Sequence, residues 1–302
     1  IGLGIPAEPL FRSNPNKSCA RPVFTAYSAA MPDWLQVILL GLIEGITEFL
    51  PISSTGHLLL AEQWLGKRSE HFTIFIQSGA VLAVLAVFKE RVRELATGWS
   101  QPNKRDYLVK MGVSFVITAV GGLSLKAAGW ELPDNATPIA WALLVGGVLF
   151  IVIERQQALK ETKPSTEALS LPQITWTLAV AFGMAQLVAM VFPGASRSGS
   201  TILIGLCLGM MRREAVEYSF LLGVPTLLSA GAYQLASAIK DNPTAVREEA
   251  PMLVLGTVVS AVTAFAAVKW LLTYLQRNNF VAFGWYRILL GAVILIYVAK
   301  GG

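Results

Sequence analysis

Six stretches of this chain are long, apolar and almost free of Asp, Glu, Lys and Arg: His71 to Phe88, Tyr107 to Leu125, Asn135 to Ile153, Tyr218 to Ile239, Ala250 to Val268 and Asn278 to Ala299. Only Lys110 and Arg287 interrupt them. A helix crossing the roughly 30 Å hydrocarbon core of a bilayer needs about 20 mainly apolar residues, so each stretch reads as a transmembrane helix. An ordinary soluble domain is excluded, because only 14% of the 302 residues are charged where such a domain carries about 25%. Cys19 and Cys207 are too few for a disulfide scaffold, and His57 and His71 do not complete a zinc cluster with them. The net charge of +5 suggests basic loops on one side of a membrane rather than a nucleic-acid partner.

Two further apolar regions are cut near their middle by proline and small polar residues. They are Trp34 to Trp64, cut by Pro51-Ile-Ser-Ser-Thr-Gly56, and Trp176 to Met211, cut by Pro193-Gly-Ala-Ser-Arg-Ser-Gly199. Irregular backbone at membrane depth is tolerated only inside protein or against a wet cavity. Both regions therefore read as re-entrant hairpins that enter and leave by one face.

The chain also resembles itself at an offset of 142 to 144 residues. Trp34 falls on Trp176, Glu44 on Gln186, Pro51 on Pro193, Gly56 on Gly199, Glu70 on Glu214, Gly79 on Gly223, Gly112 on Gly256 and Gly147 on Gly291. Each half then holds one hairpin and three spans, an odd number of crossings, which inverts the second half. The expected fold is an all-α polytopic membrane protein with an inverted-topology repeat, six spans and two re-entrant hairpins. Residues 31–154 form the first half, 155–172 a polar cytoplasmic connector and 173–302 the second half. Residues 1–30 read as a leader or an irregular extension, without the basic and apolar regions of a signal peptide.

Eleven Lys and Arg fall in loops on one face and six on the other, which puts the richer face in the cytoplasm. Both termini and the mouth of the first hairpin are then expected on the outer face.

Ionisable residues inside membrane segments are costly and mark function by default. Glu44 and Glu48, four residues apart, share one helix face and suit an oxygen-binding cation such as Mg²⁺ or Ca²⁺; the alternative is two acids at a wet helix end. Ser53, Ser54 and Thr55 follow at a helix break, where hydroxyls also cap helices. His57 lies one helical turn beyond Ser54, where it could serve as a base for a hydroxyl nucleophile. In the second hairpin, Ser196, Arg197, Ser198 and Thr201 at a helix start form an anion site built from free N–H groups and a guanidinium. Together these parts read as phosphoryl-group hydrolysis on a membrane-borne substrate.

The segments Glu44-Gly-Ile-Thr-Glu48-Phe-Leu-Pro-Ile-Ser-Ser-Thr-Gly-His57 and Pro193-Gly-Ala-Ser-Arg-Ser-Gly-Ser-Thr201 resemble the two signature motifs of the bacterial undecaprenyl pyrophosphate phosphatase, or bacitracin-resistance (BacA/UppP), family. The resemblance runs from about Met31 to the C-terminus. It implies dephosphorylation of undecaprenyl diphosphate to the monophosphate carrier lipid of cell-wall synthesis, with a divalent cation, in the inner membrane and with the site facing the periplasm. It places the metal-binding acids on Glu44 and Glu48, a catalytic serine on Ser54, a histidine on His57 and a phosphate-binding arginine on Arg197. Ser196, Ser198 and Thr201 match the flanking hydroxyls, and Ser53 stands beside the serine. Ser54 as nucleophile and metal-activated water assisted by His57 both stay open. Expected partners are the polyprenyl diphosphate lipid and the membrane, with no nucleic acid and, as a protein partner, a second copy in a homodimer. The rival function is a transporter or flippase for the same lipid, because broken helices in inverted repeats are also a transporter pattern.

Weaker signals complete the reading. Gln186 stands where the repeat has Glu44 and is expected to have kept the framework without the metal site. Gln77 is a candidate to line the site. Arg287 is expected to snorkel to an interface, Cys207 to fill space in an apolar run, and Gly79, Gly112, Gly147, Gly223, Gly256 and Gly291 to permit close helix contact.

Overall fold

The computed structural model describes residues 31–66, 68–130, 136–160 and 171–300. The expected extension at 1–30 and most of the connector lie outside these residues, although its first part, 155–160, continues the preceding helix. Among the described residues the chain forms eleven helices and no strand. In order these are α1 (Asp33–Thr47), α2 (Ser54–Leu65), α3 (Glu70–Val87), α4 (Lys89–Thr97), α5 (Pro102–Ala127) and α6 (Thr137–Lys160), then α7 (Trp176–Val191), α8 (Arg197–Cys207), α9 (Arg212–Asp241), α10 (Pro243–Tyr274) and α11 (Val281–Ala299).

Helices α5, α6, α9, α10 and α11 are long and apolar enough to cross a bilayer, and α3 with α4 makes a sixth as a pair bent by 76°. The protein is a multi-pass membrane protein. By contrast α1, α2, α7 and α8 have 15, 12, 16 and 11 residues. At 1.5 Å per residue they reach about 16 to 24 Å, short of the core thickness. Each pair turns at its proline segment instead of crossing.

All eight tryptophans are about half exposed. Trp34, Trp64, Trp130 and Trp141 sit near helix ends on one face, and Trp99, Trp176, Trp270 and Trp285 near helix ends on the other. Such girdles mark the two interfaces of a membrane protein. Cross-chain contacts keep to the same two faces. Arg68 pairs with Asp33 and Lys126 donates to the Tyr233 hydroxyl on the first. On the second, Arg91 pairs with Glu217, while Arg212 forks onto buried Glu154, which also accepts from the Phe280 amide at the start of α11.

Packing between the halves is reciprocal. Helix α1 packs on α10 as α7 packs on α5, α3 packs on both α9 and α10, and α6 packs on α11. Small residues let these pairs approach: a β-carbon at Gly79 would stand 2.3 Å from the Thr257 carbonyl oxygen, and one at Gly147 would stand 2.6 Å from that of Gly284. Gly112 differs, with open space around it. Cys207 also departs from expectation, because it lies exposed where the buried stripe of α8 runs out.

The main core is an aromatic cluster between the hairpin tips and the second face. Phe49 meets Phe220 edge-on at 4.9 Å, Phe182 meets Tyr218 at 4.7 Å, and Tyr107 meets Tyr218 at 5.4 Å. This cluster packs the tips against the helices that lead to that face.

Candidate active site

The two hairpin tips have the same local build. Ser53 and Ser196 are the only non-glycine residues with positive φ among those described, at 71° and 69°. In each case the seryl hydroxyl accepts from the amide three residues on, Gly56 or Gly199, and opens the following helix. A left-handed conformation outside glycine costs on the order of 1–3 kcal/mol. Held at both tips, it turns the chain so that α2 and α8 start inside the protein, with Ser54 and Arg197 as their first residues.

Those two residues converge on one carboxylate. Ser54 Oγ donates to Glu48 Oε2 at 2.9 Å, and Arg197 Nη2 donates to Glu48 Oε1 at 3.2 Å. All three are largely buried, and the Arg197 guanidinium also lies 5.3 Å above the Phe49 ring. Its seat is on α9: Nη1 donates to the Ser219 carbonyl, and a β-carbon at Gly223 would stand only 2.3 Å from Nη1. Gly223 therefore makes room for an arginine rather than for a helix. Ser198 ties the hairpins together by donating to the Glu48 and Leu50 carbonyls, each at 3.3 Å, and shares a 3.1 Å hydrogen bond with Ser196. Thr201 is buried against the Arg197 carbonyl and the Ser219 hydroxyl, so it supports Arg197 from behind.

A cavity of about 220 Å³ opens beside this group. Glu48, Ser53, Ser54, Ser196 and Arg197 line one side, and Thr55, Gln77, Thr118, Gln186 and Thr226 the other, with Ala189, Met190, Leu227 and Ala230 adding an apolar wall. Gln77 lies seven residues into α3 and Thr118 nine before the end of α5, which puts the polar wall about 10 to 14 Å below the face that carries Arg68 and Lys126. The cavity therefore combines polar groups from both hairpin tips with an apolar wall.

Sequence reasoning brought most of these residues together and missed others. Gln77 and Gln186 line the cavity, as anticipated for Gln77. Thr55 lines the cavity beside Ser54, whereas Thr118 and Thr226 were missed; the sign was a lone hydroxyl in an apolar span, which also fits an ordinary intrahelical hydrogen bond. Gln186 is fixed by donating to Thr118 at 2.9 Å, and Thr118 in turn donates to the Gly183 carbonyl. His57 does not enter the cavity. Its Nδ1 faces the Ser53 carbonyl at 2.7 Å, which makes Nδ1 the protonated nitrogen, and Nε2 accepts from the Tyr286 hydroxyl at 2.6 Å. Arg287 does not snorkel either. It is fully buried, because main-chain carbonyls within the protein receive its guanidinium.

Glu44 is completely buried beside Glu48 and Gln77, and no hydrogen bond of ordinary geometry reaches either of its carboxylate oxygens. A buried carboxylate without a partner needs a cation or a proton. The pair Glu44 and Glu48 thus fits a divalent cation by donor chemistry. No group of three or more His, Cys, Asp or Glu side chains converges among the described residues, so the acidic ligands would be these two.

A family model described as bacitracin resistance protein BacA matches residues 37–293. The chain is 49% identical over 270 residues to an undecaprenyl-diphosphatase of Rhizobium etli, covering 89% of this chain and 98% of that protein. It is also 49% identical to an undecaprenyl-diphosphatase of Rhizobium johnstonii, with the same coverage. With an undecaprenyl-diphosphatase of Xanthomonas oryzae pv. oryzae it shares 46% identity over 272 residues, again 89% of this chain and 98% of the relative.

Proposed function

The chain belongs to the bacitracin resistance protein BacA family, and on that premise we propose that it hydrolyses undecaprenyl diphosphate to undecaprenyl phosphate and inorganic phosphate. The observation that carries this reading is the meeting of Ser54, Glu48 and Arg197 at the wall of one small cavity between two hairpin tips. Phosphoryl transfer asks chiefly for positioning and for positive charge against the equatorial oxygens. Arg197 at the positive N-terminal end of α8 supplies both for a terminal phosphate.

Ser54 is the nucleophile in this reading, with Glu48 as its base. The terminal phosphate draws Arg197 away from Glu48, and the freed carboxylate takes the Ser54 proton along the existing hydrogen bond. The Ser54 oxygen forms a bond to the terminal phosphorus while the bridging P–O bond breaks, and undecaprenyl phosphate leaves with the proton, which Glu48 passes to the departing oxygen and so returns to its carboxylate form. Water then attacks the phosphoserine with Glu48 as base, returning Ser54 and releasing inorganic phosphate. His57 works from outside the cavity, holding the Ser53 carbonyl and with it the strained turn that points Ser54 inward. A divalent cation held by Glu44 and Glu48 would supply charge to offset the phosphate oxygens. The isoprenoid chain leaves along the apolar wall formed by Met190, Leu227 and Ala230 and lies in the bilayer.

The chain sits in the bacterial inner membrane in this reading, with the halves inserted in opposite senses. The face carrying Arg91, Arg212 and Arg213 is cytoplasmic, and the cavity faces the periplasm.

The test is phosphate release from a polyprenyl diphosphate by the purified protein, with and without a chelator. Release that a chelator stops and Mg²⁺ or Ca²⁺ restores supports the reading; undiminished release in the chelator removes the metal. Ser54→Ala is expected to abolish release, and near-normal turnover in that variant overturns the covalent step.

A further inference from the structure

Arg287 is the largest fully buried side chain among the described residues, and its terminal nitrogens bond to main-chain carbonyls rather than to a carboxylate. Its Nε is buried without a partner. Nη1 donates to the Pro51 carbonyl at 3.2 Å, and Nη2 to the carbonyls of Gly194 at 3.2 Å, Ala195 at 3.0 Å and Ala142 at 3.2 Å. Pro51 is in the first hairpin tip, Gly194 and Ala195 are in the second, and Ala142 is on α6. One guanidinium on α11 thus holds both tips and the helix beside them. These tip carbonyls belong to the turns that precede Ser53 and Ser196, the two strained residues that start α2 and α8.

The seat is shaped for this group. A β-carbon at Gly146 would stand 2.3 Å from Nη2, and one at Gly199 would stand 3.0 Å from Nη1. The guanidinium also lies 5.9 Å from the centre of the Phe150 ring. An ionised group buried without a counter-ion costs several kcal/mol, and such a group inside a membrane segment marks function by default. Hairpin tips do not hydrogen-bond to each other through regular secondary structure, so their relative position depends on side chains. Ser198 supplies one such tie, at the cavity side. Arg197 supplies a second by donating to Glu48, and Arg287, which does not itself line the cavity, supplies a third.

We propose that Arg287 is a positioning residue for the reaction: by clamping the carbonyls of both hairpin tips it fixes the distance between Ser54 on one and Arg197 on the other. It acts through main chain and touches no reacting atom. The requirement is for a planar fork with several donors, which a lysine ammonium does not reproduce. This rests on the reading of the cavity as a phosphatase site.

The test compares wild type, Arg287→Lys, Arg287→Met and Gly146→Ala in detergent, measuring kcat and KM for a polyprenyl diphosphate and amide hydrogen exchange by mass spectrometry. Arg287→Lys is expected to lose kcat on the order of 10²-fold, as a misplacement of about 1 Å does, with little change in KM and a retained thermal transition. Gly146→Ala, which leaves the arginine in place but takes its seat, is expected to show the same loss. The double variant Arg287→Lys with Gly146→Ala is expected to be no worse than either alone, because both remove one clamp. Exchange is expected to quicken in 50–56 and 193–199 together. A lysine variant with wild-type kcat, additive losses, or unchanged exchange at both tips would overturn the clamp. If wild type itself releases no phosphate, the functional reading fails, and the exchange comparison still decides whether Arg287 holds the tips.

Discussion

Adding one methyl group at Gly223 tests the site without touching any of its chemical groups. The β-carbon of Gly223→Ala would fall 2.3 Å from Arg197 Nη1, 2.8 Å from Cζ and 3.0 Å from Nη2. Ordinary contact begins near 3.4 Å, so the guanidinium has to retreat by about 1 Å. It is held on its other sides by Glu48, by the Ser219 carbonyl and by Phe49, so the retreat disturbs the group that receives the phosphate. A misplacement of this size costs on the order of 10²-fold in rate, equivalent to about 2.7 kcal/mol of transition-state stabilisation. Phosphate release by purified Gly223→Ala should therefore fall by about that factor while its thermal unfolding transition stays close to wild type. Gly112→Ala is the control, because nothing lies within 4 Å of its added carbon. It should keep full activity and stabilise α5 slightly, since alanine exceeds glycine in a helix by about 1 kcal/mol. Wild-type turnover in Gly223→Ala would refute the claim that Arg197 is positioned by this seat.

Other outcomes follow from single contacts. Glu154→Ala removes the buried carboxylate that Arg212 forks onto and that accepts from the Phe280 amide at the start of α11, and is expected to lower stability by about 3–5 kcal/mol, measured by unfolding in detergent, with the surviving folded fraction still active. Tyr286→Phe removes the hydroxyl that His57 accepts from; activity is expected to drop less than in His57→Ala, which also frees the Ser53 carbonyl, and equal losses would argue that His57 acts as more than a tether. Gln186→Leu removes a polar wall of the cavity without touching Ser54, and is expected to raise KM more than it lowers kcat in steady-state kinetics. In a thiol-labelling scan, a cysteine at Ser69 is expected to react from outside the cell and one at Lys104 only from the cytoplasm; the reverse result inverts the orientation.

The architecture was legible because lipid imposes it. A span has to be apolar over its whole length, so its helix shows in composition alone, and all six expected spans meet helices in the structure. The hairpins showed through their prolines, for the same reason in reverse: broken backbone at that depth has to be sheltered. Residues whose role depends on which neighbour they face were harder to read. Arg287 looks in sequence like any arginine near the start of a span, and only the fold supplies the four carbonyls that bury it. His57 stands a helical turn from Ser54, which suggested a shared task, yet the first turn of α2 points the imidazole at Tyr286 on α11, a residue 229 positions away. Gly223 belongs to a pattern of small residues that elsewhere pack helix on helix; its contact with Arg197 depends on a side chain from another hairpin. Thr118 donates to the Ser114 carbonyl within α5 just as Thr257 and Thr263 do within α10, so nothing local shows that it also meets Gln186 and Gly183.

The most direct test of the central claim is a structure with a non-hydrolysable polyprenyl diphosphate analogue bound. The account predicts the terminal phosphate between the two hairpin tips, its oxygens on Arg197 and the amides at the start of α8, and its phosphorus about 3–3.5 Å from Ser54 Oγ. A diphosphate bound on the opposite face, among Arg91, Arg213 and Glu217, with the cavity between the tips empty, would contradict it.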